Sequence, residues 1–162
     1  MSQAVIALGS NIGDSLNNMK TAINYLEEYG CLVLKKSKVY QTEPWGYKDQ
    51  ADFLNAAVLV ETIVGPRGLL EITQGIEKKM GRNKEFLNGP RNIDLDILVY
   101  EDEEVTEDDL TVPHARLHQR LFVLKPMADV APQWQVGDLG TVVELLAAYE
   151  KSERVELTEL SL

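Results

Sequence analysis

The chain has 162 residues, 44% of them hydrophobic, with 26 acidic against 16 basic side chains and a formal net charge of −10 at neutral pH. This length fits one domain with a core large enough to need no covalent staple, and the single cysteine, Cys31, excludes an internal disulfide and reads as a small buried side chain of a cytoplasmic protein. No apolar stretch approaches a membrane span, residues 1–10 lack the basic flank and apolar run of a signal peptide, and the acidic balance argues against coating nucleic acid, so neither membrane nor nucleic acid is an expected partner.

Residues 3–8 are mostly apolar and run into Gly9, Ser10, Asn11 and Gly13, which predicts a buried strand entering a loop. Asp14 can cap a helix whose inner face carries Leu16, Met19, Ile23 and Leu26, with Gly30 as its stop. Residues 31–40 alternate only partly, but their β-branched and aromatic content predicts a second strand. Residues 41–50, with Pro44, Trp45 and Gly46, read as a loop, and 53–63 as a central strand. Gly65 and Pro66 open a second helix lined inside by Leu69, Leu70, Thr73, Ile76 and Met80 and ended by Gly81. Residues 92–100 form the fourth strand.

This order predicts an α+β fold with a ferredoxin-like βαββαβ core. A hairpin through 101–111, a small helix near 126–130 and an amphipathic helix over about 139–149 complete the expectation. Helices then cover both faces of an antiparallel sheet, an α-β-α sandwich, and residues 1–162 form a single domain.

The chemistry concentrates at Asp94 and Asp96. On a strand alternate side chains share a face, so Ile93, Leu95 and Ile97 enter the core while the two carboxylates emerge together, about 7 Å apart at their roots. Such a pair of hard oxygen ligands suits magnesium, although an outward-charged edge strand would read the same way. Basic residues surround it in sequence. Residues 77–91 and 112–125 together hold eight basic and two acidic side chains, among them Arg82, Lys84, Arg91 and Arg120, with His114 nearby. Arginines around a metal can bind outer phosphate oxygens and balance the charge of a transferring phosphoryl group. Neither Gly-x-x-x-x-Gly-Lys-Ser/Thr nor Gly-x-Gly-x-x-Gly occurs, so catalysis would rest on metal and arginine. Phe53 and Asn55 share a strand face, and a flat heterocycle could stack between Phe53 and Phe122 and offer its polar edge to Asn55. Gln74 and Glu77 are neighbours on the second helix and by themselves read as a solvated face. The seven carboxylates within 101–109 read as an exposed hairpin rather than a metal cage.

Gly9-Ser10-Asn11, Tyr40-Gln41-Thr42-Glu43-Pro44, Phe53-Leu54-Asn55-Ala56-Ala57, Gly89-Pro90-Arg91-Asn92-Ile93-Asp94-Leu95-Asp96, Val112-Pro113-His114 and Arg120 occur in this order. The combination resembles the 6-hydroxymethyl-7,8-dihydropterin pyrophosphokinases of the folate pathway. The resemblance implies transfer of the terminal diphosphate of ATP to the pterin hydroxymethyl group, leaving AMP, with two Mg2+ ions at Asp94 and Asp96 and a monomeric enzyme. It implies that Thr42, Phe53, Asn55 and Phe122 hold the pterin, with Glu43, Pro44 and Trp45 contributing through their backbone. It further implies that Gln74, Glu77, Arg82, Lys84, Arg91, Ile97, His114 and Arg120 serve ATP, and that Arg82, Arg91, Asp94 and Asp96 carry catalysis. The sequence departs from the family pattern at Asn88, where a tryptophan is frequent, at Lys84, where arginine is common, and at Ala115, where some members carry an aromatic. The loop over 79–88 is expected to be a mobile lid. The competing expectations are a two-metal nuclease on the same aspartates and a non-catalytic ferredoxin-like metabolite-binding module.

Overall fold

A computed structural model describes residues 1–44, 46–81 and 92–162. Strand β1 (Ser2–Ser10) leads to helix α1 (Ser15–Glu28), where the Asp14 side chain accepts the Asn17 N–H at 3.1 Å, as its capping position requires. β2 (Leu32–Lys36) and β3 (Tyr40–Thr42) follow, then β4 (Phe53–Thr62), α2 (Pro66–Lys79) and β5 (Asp94–Tyr100). A hairpin of β6 (Val105–Glu107) and β7 (Leu110–Val112) comes next. The remainder comprises a 3-10 turn (Leu117–Gln119), α3 (Leu121–Val130), β8 (Gln135–Val136), β9 (Gly140–Thr141), α4 (Val142–Ala147) and β10 (Val155–Leu157). Among the described residues no helix is long and apolar enough to cross a membrane.

One antiparallel sheet carries the molecule, in the order β10-β3-β4-β1-β5, with β2 also paired to β4. The period of two sorts its side chains, except at a bulge in β5 where Leu98 and Val99 both join the α3 side. Ala4, Ile6, Leu8, Val58, Val60, Leu95 and Ile97 pack against α1 and α2, while Val5, Ala57, Leu59 and Leu98 pack against α3 and α4. Helices therefore do cover both faces, and the mixed α and β character expected from the sequence holds. Cys31 is fully buried, as expected of a lone small thiol.

Four local expectations need correction. The second strand is broken rather than continuous over 31–40: Ser37 Oγ accepts the Ala57 N–H at 2.8 Å, so a side chain replaces a ladder carbonyl, and Asp129 of α3 takes the Lys38 N–H at 3.1 Å and the Tyr40 hydroxyl at 2.8 Å. The small helix near Pro126 begins five residues earlier, at Leu121, and keeps Pro126 inside it. Proline there has no N–H to give, a cost offset by burying Leu124, Met127 and Val130, each full burial of a large apolar side chain being worth roughly 1.5–3 kcal/mol. The last helix is shorter than 139–149, because Gly140 at φ +124° lies outside helical space and Thr141 and Glu144 close a capping box after it. Finally, β10 was not anticipated; it adds to β3 across the register Val155–Thr42, Glu156–Gln41 and Leu157–Tyr40.

Candidate active site

The face that α3 covers is not covered to its end. Beyond the first turn of α3 the sheet surface is open, and there the cross-strand register places the polar residues. One row runs Asp94 (β5), Gly9 (β1), Asn55 (β4), Tyr40 (β3), and the next row holds Asp96, Ala7 and Ala57. Neighbouring strands are about 4.8 Å apart, so the Asp94 and Asn55 backbones stand roughly 10 Å apart with a glycine between them. The partners opposite the two aspartates are thus Gly9 and Ala7, the smallest residues available, and the volume in front of the carboxylates stays empty. Both aspartates are part-buried and emerge on one face, as the strand periodicity predicts.

A cleft of about 100 Å³ occupies this position, and its walls include Ala7, Gly9, Thr42, Glu43, Phe53, Asn55, Asp94, Asp96, Arg120, Phe122 and Val123. Asn55 is buried and donates from Nδ2 to Thr42 Oγ1 at 2.7 Å, which supplies the partner an amide in an apolar strand requires. A Cβ at Gly9 would stand 3.1 Å from Asn55 Oδ1 and 3.8 Å from the Phe53 ring, so the bare backbone is what lets both side chains lie down over β1. The early start of α3 brings Arg120, Phe122 and Val123 to the rim, with the Arg120 guanidinium 5.6 Å from the Phe122 ring centroid. Burial draws the Arg120 pKa below its ordinary value and Asp96 opposes that shift; a guanidinium remains charged at neutral pH regardless.

A second cleft lies along the outer side of β5. Asp96 borders it too, together with Leu70, Ile97, Asp108, Asp109, Leu110, Thr111, His114 and Ala115. Asp96 is therefore the hinge between two cavities. The hairpin's acidic tip, expected only to be exposed, forms part of this second wall and is tied to α2: the Arg67 fork reaches Asp109 at 2.7 Å and also pairs with Glu107. His114 Nδ1 accepts the Arg116 backbone N–H at 3.2 Å, which assigns the imidazole proton to Nε2. Burial, with Arg120 beside it, lowers the His114 pKa from 6.5, and Asp94 only partly opposes this. The ring is accordingly neutral at pH 7, a donor through Nε2 rather than a cation.

The sign of that shift makes a prediction. A histidine depressed in the fold contributes fully above pH 6.5, and its contribution is lost as pH falls from 6.5 to the lowered folded value. Urea denaturation from pH 8 to pH 5 should show an acid-side loss of stability in the wild type that is reduced in His114→Asn, whose side-chain oxygen can still take the Arg116 N–H. Parallel curves for the two proteins would contradict the assignment.

Of the residues singled out from sequence, Thr42, Glu43, Phe53, Asn55, Asp94, Asp96, Arg120 and Phe122 meet in the first cleft, and Asp96, Ile97 and His114 in the second. Pro44 is buried, and its carbonyl accepts from Lys48 Nζ at 2.7 Å without lining either cleft. Gln74 is exposed, but Glu77 is not the solvated neighbour expected, nor does it line either cleft as a residue serving ATP directly would: it is 6% exposed, and its Oε2 accepts the Leu95 N–H at 2.9 Å. Trp45, Arg82, Lys84 and Arg91, together with Asn88 and the rest of the expected lid from 82 onward, lie outside the described residues, while Lys79 is the last residue of α2 and Met80 its cap. Ala7 and Gly9 were missed as site residues. Their signal was available: two small residues two apart on a strand, the same spacing as the aspartates they face.

Residues 5–132 match the model of the family described as 7,8-dihydro-6-hydroxymethylpterin-pyrophosphokinase (HPPK). The 2-amino-4-hydroxy-6-hydroxymethyldihydropteridine pyrophosphokinase of Bacillus subtilis is 47% identical over 131 residues, covering 80% of this chain and 78% of that protein. The protein of the same name from Methylorubrum extorquens is 44% identical over 159 residues, covering 96% of this chain and 100% of the other. Among solved structures, Plasmodium falciparum HPPK-DHPS with pteroate superposes with a TM-score of 0.75 at 17% identity. The match covers 90% of this chain and 44% of that longer one, a likeness of fold.

Proposed function

Because the chain belongs to the 7,8-dihydro-6-hydroxymethylpterin-pyrophosphokinase family, we infer that it transfers the β,γ-diphosphate of ATP to the hydroxymethyl group of 6-hydroxymethyl-7,8-dihydropterin. The products are the pterin diphosphate and AMP, and the pathway is folate biosynthesis. The observation that carries this reading is the place of Asp96, which borders both clefts, one walled by aromatics and an amide and the other by Ile97, Leu110 and His114.

The pterin lies in the first cleft, flat between Phe53 and Phe122, with its polar edge toward Asn55 and Thr42 and toward backbone groups of 43–45. The nucleotide lies in the second, its base against Ile97 and its phosphates running past His114 toward Asp96. The acceptor hydroxyl then meets the β-phosphorus at the junction. That oxygen loses its proton to water and forms the new bond, while the bond from the β-phosphorus to the α,β-bridging oxygen breaks and AMP departs with that oxygen. Positioning supplies much of the acceleration, because both reactants are held against one rigid sheet. Arg120 brings a positive charge to the side of the cleft where the diphosphate passes, and His114 offers its Nε2–H to a phosphate oxygen. Arg82, Arg91 and Lys84 would complete the cationic surround, with Gln74 at the nucleotide side.

The donor set fits two Mg2+ ions: paired hard-oxygen ligands on one face, small residues opposite, and room for water and phosphate oxygens to fill the remaining positions. Asp94 and Asp96 would hold them, and when bound they supply Lewis-acid polarisation of the phosphates and lower the pKa of an oxygen they contact. On the same reading the sheet order with α1 and α2 on one face is a ferredoxin-like core extended by β10. We take residues 1–162 to act as one pyrophosphokinase domain and as a monomer; that a single chain lines both clefts supports a site complete within one copy.

The test is product identity. Incubated with ATP, Mg2+ and the reduced hydroxymethylpterin, the protein should yield AMP and pterin diphosphate in equal amounts by mass spectrometry. ADP in place of AMP, or unchanged nucleotide with folded protein, would overturn the reading.

A further inference from the structure

Among the described residues Glu77 is the only charged side chain that is buried, on the inner face of α2 beside Leu69, Thr73 and Ile76. A carboxylate in such a place costs several kcal/mol unless hydrogen bonds repay it, and an aliphatic residue would pack there more cheaply. Glu77 Oε2 accepts the amide N–H of Leu95 at 2.9 Å. Leu95 is the residue between Asp94 and Asp96, and among the described residues β5 ends the sheet order, with β1 its one strand neighbour in that sheet. An edge strand has amides that no neighbouring strand can take, and a loose edge is free to twist or slip. Glu77 occupies the one such amide that stands between the two aspartates. Asn92 makes a second tie close by: its Nδ2 donates to the Met80 carbonyl at the end of α2, and its Oδ1 accepts the Ile93 N–H at 2.9 Å.

We propose that Glu77 is a positioning residue, which by holding the Leu95 amide fixes the orientation of β5 so that the carboxylates of Asp94 and Asp96 face the same cleft. The inference rests on the functional reading above, and it assigns to Glu77 an effect on the metal site exerted through the backbone of β5. Outer groups of this kind change metal affinity by ~10- to 100-fold when removed.

The experiment compares the wild type with Glu77→Gln, which keeps a carbonyl acceptor but no charge, and Glu77→Leu, which keeps neither. Hydrogen exchange at the Leu95 amide is followed by NMR in nucleotide-free protein, and Mg2+-dependent binding of α,β-methylene-ATP by calorimetry. In the wild type the Leu95 amide should be protected. Glu77→Gln should retain that protection and bind the Mg2+ complex within about 3-fold of wild type, whereas Glu77→Leu should lose the protection and ~10- to 100-fold in affinity. Loss of affinity in Glu77→Gln with Leu95 still protected would overturn the proposal, since the charge itself would then be what matters. Equal Leu95 protection in all three proteins would overturn it as well. Should Glu77→Leu not fold, Glu77→Gln decides alone by the same criterion. Failure of the functional reading is separately visible, as absence of AMP from the wild type, because the Leu95 measurement requires no turnover.

Discussion

Asp96→Ala should lower kcat by on the order of 10³-fold while leaving folding and pterin binding close to wild type. The residue borders both clefts, so in the proposed reaction its loss acts at their junction rather than in either pocket alone. Replacing one of two neighbouring carboxylates also removes a like-charge repulsion across one turn of pleat, so the folded state should not suffer. Ala7, already opposite position 96, adds no bulk that could collapse into the gap. Single-turnover AMP formation, thermal denaturation and pterin titration separate the three quantities. A kcat near wild type would remove the carboxylate from the reaction, and a large fall in melting temperature would reassign it to structure.

Asn55→Leu should reduce kcat/KM for the pterin by about 10²-fold and leave KM for ATP unchanged. Leucine keeps the branched heavy-atom skeleton of the amide, with somewhat more bulk, but offers no hydrogen bond, so the Thr42 hydroxyl loses its 2.7 Å partner and the polar edge of the bound ring faces an unmatched wall. Gly9→Ala provides a graded version of the same disturbance. Its new Cβ would press on Asn55 Oδ1 from 3.1 Å, displacing the amide by a few tenths of an ångström rather than deleting it. A several-fold rise in pterin KM is expected there, in the same direction and smaller. Steady-state kinetics with each substrate varied in turn tests both variants; equal loss toward ATP and pterin would show that Asn55 does not serve the pterin selectively.

The legible part of this site was the part written in one strand. Asp94 and Asp96 two residues apart, with Leu95 between them, state a shared face without any knowledge of the fold, because side chains on a strand alternate by stereochemistry. Asn55 two residues after Phe53 is the same statement on another strand. What the spacing could not tell was which strand lies beside which, so the pairing of Asp94 with Gly9 and of Gly9 with Asn55 had no expression in the sequence. Glu77 illustrates the converse. Three residues from Gln74 on an amphipathic helix, it reads as surface, and only the approach of β5 turns that position inward and gives the carboxylate an amide to hold.

The helix boundaries follow the same division. Asp14 and Gly30 delimit α1 through local hydrogen bonding and backbone freedom, and they do so in the folded protein as in the sequence. Pro126 misleads, because a proline favours a first turn when nothing else acts, while the apolar residues from Leu121 onward gain more by lying against the sheet than the helix loses at the proline. That longer α3 is what delivers Arg120 and Phe122 to the cleft.

By itself, then, the amino-acid order determined the element types, the two-faced sheet and the paired carboxylates, since these arise from alternation, capping and turn chemistry acting over a few residues. The tertiary structure alone decided that small residues stand opposite the carboxylates, that Asp96 separates two cavities and that Glu77 is interior. Those features depend on cross-strand register and on helix packing between segments tens of residues apart, and no short-range preference encodes them.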